Sequence, residues 1–471
     1  MRSAGIRHGC VFALSSIVLS LFATCIWLLA TRQDSTQVQR SSASKGHALS
    51  TPYAAIRSAS KLQLLSGDQV RFLNDTCGRV RWRSLEQYTT VFEDHVFVAT
   101  GDIDDMWLRD SAIQFRPFLG VQRLQPLVER LIKTQAYLIL QDPYANSFRR
   151  RWATPHESEK GLRRGGWVAT GNWEPDSLAY FLHLICDAGI HSVWDDARVR
   201  QAVNLVLDVF ECEQHHYNGS SLYRYAELSN GGKGEAVGYT GFIWGAFRPS
   251  DDRQTFGYNI PVNLFIHAAL GKLRAVFLPD DYRIVVLMEG IETGLRLHSI
   301  VDGVYAYEVD GLGHSMVGFD DANLPSLLSI PLYTTIFDEE VYARTRQRVL
   351  STANSYFFRS PALEGIGSPH TPQNHIWPLS VMARAMTASD DRELVEQVEF
   401  LASMDCGKGR MHESVNVENL AVCTRPDFEW ANTMFAELVT THFPELCDVQ
   451  LDFNKIKHVY PARRRLAGEK Q

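Results

Sequence analysis

The stretch GNWEPDSLAYFL, residues 171–182, contains the pattern that decides the fold. A polar loop with Gly, Asn and Trp runs directly into an apolar segment, which opens with Pro175. Proline suits the first turn of an α-helix, because its missing N–H would have no intrahelical acceptor there. The stretch therefore predicts a buried helix that is entered from a polar loop.

Five further segments repeat this change from polar loop to apolar stretch. Four of them place a proline at the predicted first helical turn, at Pro261, Pro325, Pro378 and Pro426. The five segments are DDMWLRDSAIQFRPFL (104–119), FGYNIPVNLF (256–265), DDANLPSLLSI (320–330), QNHIWPLSVMA (373–383) and CTRPDFEWANTMF (423–435).

Six loop-to-helix junctions favour a ring of helical hairpins. The segments between them, such as QPLVERLIKTQAYLIL (125–140), repeat apolar residues with the period of an amphipathic helix, and strand-like alternation is scarce. We therefore predict an all-α fold, an (α/α)6 toroid of six helical hairpins, with long loops forming the active site at one end. A plain helical bundle would explain the periodicity, but not the crowding of Trp, Asn, Asp, Glu and His at the helix entrances.

The N-terminal region has the composition of a membrane anchor and stem. Residues 10–30 carry no charge, and about 20 helical residues at about 1.5 Å each span a bilayer core of about 30 Å. Arg2 and Arg7 precede this stretch, which predicts a type II topology in the secretory pathway, on the Golgi or another lumenal or extracellular face. A cleaved signal peptide, which would give a secreted protein, is the alternative. The predicted organisation is a cytoplasmic tail (1–9), a transmembrane signal-anchor (10–30), a flexible stem (31–62), one catalytic domain (63–455) and a basic tail (456–471).

Composition narrows the functional classes. The 471 residues are 45% hydrophobic, which is enough for a large core, and the net charge of -7 with no basic stripe argues against a nucleic-acid partner. Beyond the stem are six cysteines without C-x-x-C spacing, so disulfides in an oxidising lumen are expected but their pairing is not deducible. Asn74 and Asn218 each begin a glycosylation acceptor pattern, which predicts a glycoprotein.

Acidic residues cluster in the polar loops together with aromatic residues and glycines. Cleavage of a glycosidic bond needs one carboxylic acid to protonate the leaving oxygen and one carboxylate to activate water or to attack the sugar. The candidate acids are Asp104, Asp105, Asp110, Glu174, Asp176, Asp251, Asp252, Asp320, Asp321 and Glu413. Each acid taken alone is more readily explained by helix capping or by a salt bridge, and it is the clustering that favours a carbohydrate site.

Eight segments together resemble glycoside hydrolase family 125. They are GDIDDMWLRDSA (101–112), ATGNWEPDSL (169–178), IWGAFRPSDD (243–252), GYNIPVN (257–263), GHSMVGFDDANLPSLLSIPLY (313–333), GIGSPHTP (365–372), HIWPLSVMARA (375–385) and MHESVNVEN (411–419). The resemblance runs from about Thr89 to about Leu438. It implies a metal-independent, inverting exo-α-mannosidase that acts mainly on α-1,6 linkages of mannose-containing glycans, with an (α/α)6 fold and no cofactor. The anchor and stem look like those of a fungal member.

The resemblance also implies roles for individual residues. Asp251 or Asp252 is the general acid and Glu413 the base, and we favour Asp252 because neighbouring side chains in an extended loop point opposite ways. The substrate-binding residues implied are Asp104, Asp105, Trp107, Arg109, Asp110, Asn172, Trp173, Glu174, His314 and His370. The two histidines are equally compatible with structural hydrogen bonding, and the tryptophans with a place in the core. Glu429 is interpreted as a helix-surface residue.

Two other functions fit parts of the sequence. Asp102 and Asp104 form an Asp-x-Asp pattern, which together with the type II topology is typical of a lumenal glycosyltransferase with a metal site. The helical pattern, however, lacks the alternating strands and helices of a nucleotide-binding sheet. The second alternative is a non-catalytic glycan-binding protein that kept the pocket but lost the chemistry.

Overall fold

The computed structural model describes residues 61–151 and 165–459. Thirteen α-helices lie in this part of the chain. In chain order they are α1 (Gly67–Val80), α2 (Leu108–Phe115), α3 (Gln125–Gln141), α4 (Pro175–Asp187), α5 (Ala197–Gln214), α6 (Ser229–Gly232), α7 (Ile260–Val276), α8 (Tyr282–His298), α9 (Ile330–Tyr333), α10 (Glu339–Val349), α11 (Pro378–Met386), α12 (Asp391–Ala402) and α13 (Glu429–His442).

Inner and outer helices alternate along the chain, apart from the four-residue helix α6. The inner helices are α2, α4, α7, α9, α11 and α13, each of which follows one of the six predicted junctions. Helix α4 packs on both α2 and α7, α7 also packs on α9, and α13 packs on both α11 and α2. The predicted (α/α)6 toroid is therefore confirmed.

Burial follows the same division. All eight residues of α2 are buried, and α4 is buried from Pro175 to Ile185, as expected for helices with neighbours on every side. The outer helix α1 buries only Leu73, Thr76, Cys77 and Val80, which recur every three or four residues along one face. The hydrophobic core thus lies between the two rings and among the inner helices.

Short strands connect the helices. They are β1 (Thr89–Val91), β2 (Val96–Val98), β3 (Asp105–Trp107), β4 (Ser147–Arg149), β5 (Val168–Thr170), β6 (Tyr258–Asn259), β7 (Ile300–Val301), β8 (Val304–Tyr305), β9 (Glu308–Val309), β10 (Ser315–Met316), β11 (Phe357–Arg359), β12 (Glu364–Ile366), β13 (His375–Ile376), β14 (Ser414–Asn416), β15 (Cys423–Thr424) and β16 (Lys457–His458). All pairings are antiparallel except that of β1 with β16. Two strands lead directly into inner helices, β3 into α2 and β6 into α7, and β13 ends one residue before α11.

Three of the five prolines occupy the first turn of a helix as predicted. Pro175 and Pro378 are the first residues of α4 and α11, and Pro261 is the second residue of α7. The prediction was wrong for Pro325, since α9 begins only at Ile330. The Asp320 carboxylate accepts hydrogen bonds from the N–H groups of Leu327 and Leu328 at 2.8 and 3.0 Å, so these residues form a turn before the helix.

The prediction was also wrong for Pro426, because the chain there pairs with another segment before α13 begins. Asp427 O accepts a hydrogen bond from Asp102 N at 2.9 Å, and Phe428 forms a β-bridge with Gly101. A Cβ on Gly101 would lie 1.9 Å from Asp427 O, so the close approach requires glycine. We call this contact between residues 100–102 and 425–429 the seam, because it joins the first and last inner helices.

A disulfide links Cys77 of α1 to Cys447, near the end of the described chain. No helix among the described residues is long and apolar enough to span a bilayer. The predicted cytoplasmic tail, signal-anchor and most of the predicted stem fall in residues 1–60, which are outside the described residues, as are residues 460–471 of the predicted tail.

Candidate active site

Arg109, the second residue of α2, is a buried cation surrounded by acids. Its Nη1 donates to Glu174 Oε2 at 2.7 Å and to Asp176 Oδ2 at 3.3 Å, while Nη2 lies 3.9 Å from Asp251 Oδ2. The guanidinium also lies over the Trp430 ring, 5.2 Å from its centroid. Since Glu174 precedes α4 and Trp430 belongs to the first turn of α13, Arg109 holds the starts of three inner helices together.

Asp251 and Glu174 form a second layer of contacts around Arg109. Asn146 Nδ2 donates to Asp251 Oδ1 at 2.6 Å and to Glu174 Oε1 at 3.1 Å, and Asn172 Nδ2 donates to Asp251 Oδ1 at 3.0 Å. Burial and the negative charge of Asp251 raise the pKa of Glu174 well above its ordinary value. Burial opposes ionisation of Asp251 as well, but Arg109 and the hydrogen bonds from Glu174 and Asn172 lower its pKa. Asp251 is therefore the more readily ionised member of the pair, and the protonated form is favoured more at Glu174.

Asp252 has different partners from its neighbour Asp251. Its Oδ2 accepts a hydrogen bond from Ser250 Oγ at 3.0 Å, and its Oδ1 lies 3.4 Å from His370 Nδ1. The hydrogen bond with Asp252 raises the pKa of His370 to about 9, and the charges of Asp252, Asp251 and Glu413 act in the same direction. The side chains of Asp251 and Asp252 are each 27% exposed, so a ligand can reach both.

Glu413 lies directly before β14, on a hairpin formed by β14 and β15. Its side chain is 6% exposed, and Oε1 lies 3.5 Å from Arg425 Nη1. The same guanidinium binds Asp102 at the seam, with 2.9 Å between Arg425 Nε and Asp102 Oδ1. The seam therefore fixes the cation that accompanies Glu413.

The charges of Asp252, His370 and Glu413 interact with one another. His370 contacts Asp252 and is influenced by Glu413, although Glu413 is far from both along the chain. Burial raises the pKa of Asp110, which interacts with Arg109 on one side and with Arg425 on the other. The cluster at the start of α2 is thus continuous with the hairpin that carries Glu413.

Four other predicted substrate-binding residues lie around this cluster. Asn172 contacts Asp251, as described above, and Asp110 accepts a hydrogen bond from Thr100 Oγ1. The indole N–H of Trp107, directly before α2, is buried and lacks a hydrogen-bond partner among the described residues, which leaves a donor for a ligand. Burial raises the pKa of the half-buried Asp105 on β3.

The remaining predicted residues have contacts of their own. Asp104 is exposed and forms an ion pair with Arg150. His314 is 70% exposed, lies between β9 and β10, and its Nδ1 is 2.6 Å from Asp310 Oδ2. Trp173 is 1% exposed and donates its indole N–H to Trp244 O at 2.9 Å, so it packs in the core beneath the site.

Glu429 is not the surface residue that the sequence suggested. It is the first residue of α13, fully buried, and accepts hydrogen bonds from Arg83 Nε at 3.0 Å and Ser84 Oγ at 3.1 Å. Burial raises its pKa to about 7. The interpretation was wrong because Arg83, which lies far away along the chain, supplies the charge that makes burial tolerable.

Sequence reasoning also missed two residues of the cluster. Asn146 connects Glu174 with Asp251, and Arg425 accompanies Glu413. The available signal for Arg425 was its position directly before Pro426, inside one of the six junctions. Asn146 lies in a loop that follows an outer helix, and its sequence surroundings carry no comparable signal.

A separate cavity of 460 Å³ among the described residues does not contain these carboxylates. It adjoins α3 and is lined by side chains that include Phe97, Tyr137 and Trp167. Its acids are Asp94, 2.7 Å from His95, and Glu129, 2.7 Å from Lys133. None of the residues predicted to bind or cleave the glycan lines this cavity.

The Asp-x-Asp pattern does not gather its carboxylates at one point. Asp102 binds Arg425, whereas Asp104 binds Arg150. Within the described ranges, the group of side chains spaced like metal ligands is Cys406, His412 and Cys423, which includes neither aspartate.

Comparison with known proteins identifies the family. The family model for metal-independent alpha-mannosidases (GH125) matches residues 69–440. The chain is 32% identical over 408 residues to the meiotically up-regulated gene 157 protein of Schizosaccharomyces pombe. The aligned region covers 76% of this chain and 78% of that relative.

A solved structure is similar over most of the chain. It is a metal-independent alpha mannosidase from Streptococcus pneumoniae in a non-productive substrate complex with alpha-1,6-mannobiose. The TM-score is 0.75 at 34% identity, over 81% of this chain and 96% of that chain. The match of the family model to most of the chain, the similarity to this mannosidase and the shared helical toroid lead to one conclusion: the chain is a glycoside hydrolase and belongs to glycoside hydrolase family 125, the metal-independent α-mannosidases.

Proposed function

We propose that the protein is an exo-acting α-mannosidase that removes terminal α-1,6-linked mannose from glycans with inversion of the anomeric carbon. The observation that carries the proposal is the contact between His370 and Asp252, on an imidazole that also responds to the charge of Glu413. Asp252 and Glu413, which are distant along the chain, thus both act on the partly exposed imidazole of His370. The streptococcal structure, with its bound α-1,6-mannobiose, supports the choice of linkage.

In this proposal Asp252 is the general acid. At neutral pH the His370 imidazolium, whose pKa Asp252 helps to raise to about 9, directs the proton on Nδ1 at Asp252 Oδ1, 3.4 Å away. That proton passes through Asp252 to the glycosidic oxygen as its bond to the anomeric carbon breaks. Asp251 is held ionised by Arg109, Asn146 and Asn172, which suits acceptance of hydrogen bonds from mannose hydroxyls rather than proton donation.

Glu413 is the proposed base. It takes a proton from a water molecule, whose oxygen attacks the anomeric carbon from the face opposite the leaving group. Its 6% exposure leaves little room for bulk solvent, and Arg425 keeps the carboxylate oriented. In an inverting site the two carboxyl groups lie about 6.5–9.5 Å apart, which leaves room for this water.

The experiment that tests the activity uses a panel of linkage-defined mannobiosides with EDTA present. We expect mannose release chiefly from the α-1,6 isomer, with β-mannose as the first anomer seen by NMR. If α-mannose appears first, inversion is excluded. If no isomer is cleaved either with or without EDTA, the hydrolase proposal fails and a glycan-binding role replaces it.

We further propose that the protein acts in the secretory pathway as a type II membrane glycoprotein. The disulfide between Cys77 and Cys447 is typical of proteins in oxidising compartments, and the acceptor residues Asn74 and Asn218 are both exposed. Protease protection of the catalytic domain in intact vesicles tests the topology. Digestion of that domain without detergent would contradict it.

A further inference from the structure

Two thiols and an imidazole meet beside Glu413. The Sγ atoms of Cys406 and Cys423 and a ring nitrogen of His412 all lie within 4.8 Å of one another. Cys406 follows α12, His412 directly precedes Glu413, and Cys423 begins β15. The three residues therefore connect the loop after α12 to both sides of the β14–β15 hairpin.

His412 has the hydrogen bonding of a metal ligand. The residue is 0% exposed, and its Nε2 lies 3.1 Å from Asp405 O. A carbonyl only accepts, so Nε2 carries the hydrogen and Nδ1 of the neutral ring keeps a lone pair. Nδ1 is buried and lacks a hydrogen-bond partner among the described residues. Histidines that bind metals commonly donate their other ring N–H to a backbone carbonyl in this way.

The two cysteines are free thiols in a chain that elsewhere forms a disulfide. Cys77 is bonded to Cys447, whereas Cys406 and Cys423 remain unbonded although their sulfur atoms are close. Tetrahedral zinc with Zn–S bonds of about 2.3 Å places two thiolate sulfurs about 3.8 Å apart. The ligand atoms lie at most 4.8 Å apart, so a small movement of the side chains brings the two sulfur atoms to the spacing that zinc requires.

We propose that Cys406, His412 and Cys423 bind a structural zinc ion. Two thiolates neutralise the charge of Zn²⁺, and the imidazole is the third ligand in a set that zinc prefers over calcium or magnesium. Cys406 is partly exposed, so a water molecule can occupy the fourth position. The ion joins the loop after α12 to the hairpin, and it takes no part in bond cleavage.

The site bears on the proposed function through its neighbours. Glu413 follows His412 directly, and Arg425 lies two positions after Cys423, so the ion would fix both members of the contact between Glu413 and Arg425. This consequence rests on the proposed role of Glu413 as base. The binding of zinc does not depend on that role.

The first experiment measures zinc in the full-length chain purified without chelators. We expect about one zinc per chain by mass spectrometry of the metal, and little in C406S or C423S. C186S is the matched control, because Cys186 is a free thiol on α4 outside the group, and it should retain zinc. Zinc that persists in C406S and C423S would overturn the proposal, as would an intact mass showing a bond between Cys406 and Cys423.

A second measurement needs no variant. Cobalt added to the chelator-treated wild-type chain should give a sulfur-to-metal charge-transfer band. The chelator should lower the Tm, and added zinc, but not magnesium, should restore it. Cobalt binding without that band would exclude thiolate ligands. Mannose release in the same samples separates the two proposals, since E413Q should lose release while keeping its zinc.

Discussion

His370 Nδ1 lies 3.4 Å from Asp252 Oδ1, and this hydrogen bond raises the pKa of His370 to about 9. Because the folded-state pKa lies above the ordinary value of about 6.5, the imidazolium persists through neutral pH and is lost as the pH rises through about 9. We expect activity to fall on the alkaline side near that pH. In a profile of kcat/KM against pH, the H370N variant should not show this alkaline fall. If the fall is unchanged in H370N, a group other than His370 causes it.

The substitution E413Q should reduce hydrolysis of α-1,6-mannobiose by about 10²–10⁴-fold, because the amide cannot accept a proton from water. Steady-state mannose release measures the loss, and circular dichroism checks the fold. E418Q is the matched control, since Glu418 is an exposed acid on the same hairpin. Equal activity of E413Q and wild type would remove the base assignment.

The substitutions D251N and D252N should separate the two adjacent acids. A variant that lacks the general acid loses about 10²–10⁴-fold on mannobiose but much less on an aryl mannoside, whose leaving group needs no proton. We expect this selective rescue for D252N, and a loss on both substrates for D251N. Rescue of D251N alone would assign the acid to Asp251, which accepts hydrogen bonds from Asn146 and Asn172.

Glu429 should make stability depend on pH. Its folded-state pKa of about 7 exceeds the ordinary value, so its protonated form stabilises the fold below about pH 4.5, and this contribution disappears as the pH rises through 7. The loss is on the order of 3 kcal/mol. The free energy of unfolding, measured with urea, should be higher at pH 5 than at pH 8 in the wild-type chain. E429Q should remove the contribution of Glu429 to this difference. E399Q, at an exposed position of α12, should leave the difference as in wild type.

The disulfide should contribute substantially to stability. Replacing both Cys77 and Cys447 by serine should lower the free energy of unfolding by about 2–5 kcal/mol, because the bond restricts a very long loop in the unfolded chain. Thermal unfolding of the double variant measures the effect. The C186S variant, which removes a free thiol, is the control, and an equal Tm for the double variant and wild type would contradict the prediction.

The ring of hairpins could be predicted because its signal is local. Each inner helix follows a polar loop, and Pro175 or Pro378 shows where a helix begins. The environment of Glu429 could not be predicted in this way, because its partner Arg83 comes from the opposite end of the chain. The same applies to Asn146, whose two acidic partners come from two other loops.

The roles of the candidate acids show the same limit. A sequence pattern identifies Asp251 and Asp252 together, but only three-dimensional contacts distinguish a carboxylate held by two amides from one beside an imidazole. Charge partners such as Arg425 are set by the seam, which no short motif describes.

The seam has a consequence for when the enzyme becomes active during its synthesis. Arg425 and Glu413 belong to the part of the chain that leaves the ribosome last, whereas Asp102 and Gly101 emerge early. A nascent chain can thus form most helical hairpins before the β14–β15 hairpin, which carries Glu413, has docked through the seam. With Glu413 in its proposed role as base, we expect hydrolytic activity only after the ring has closed, once the final hairpin has been translated.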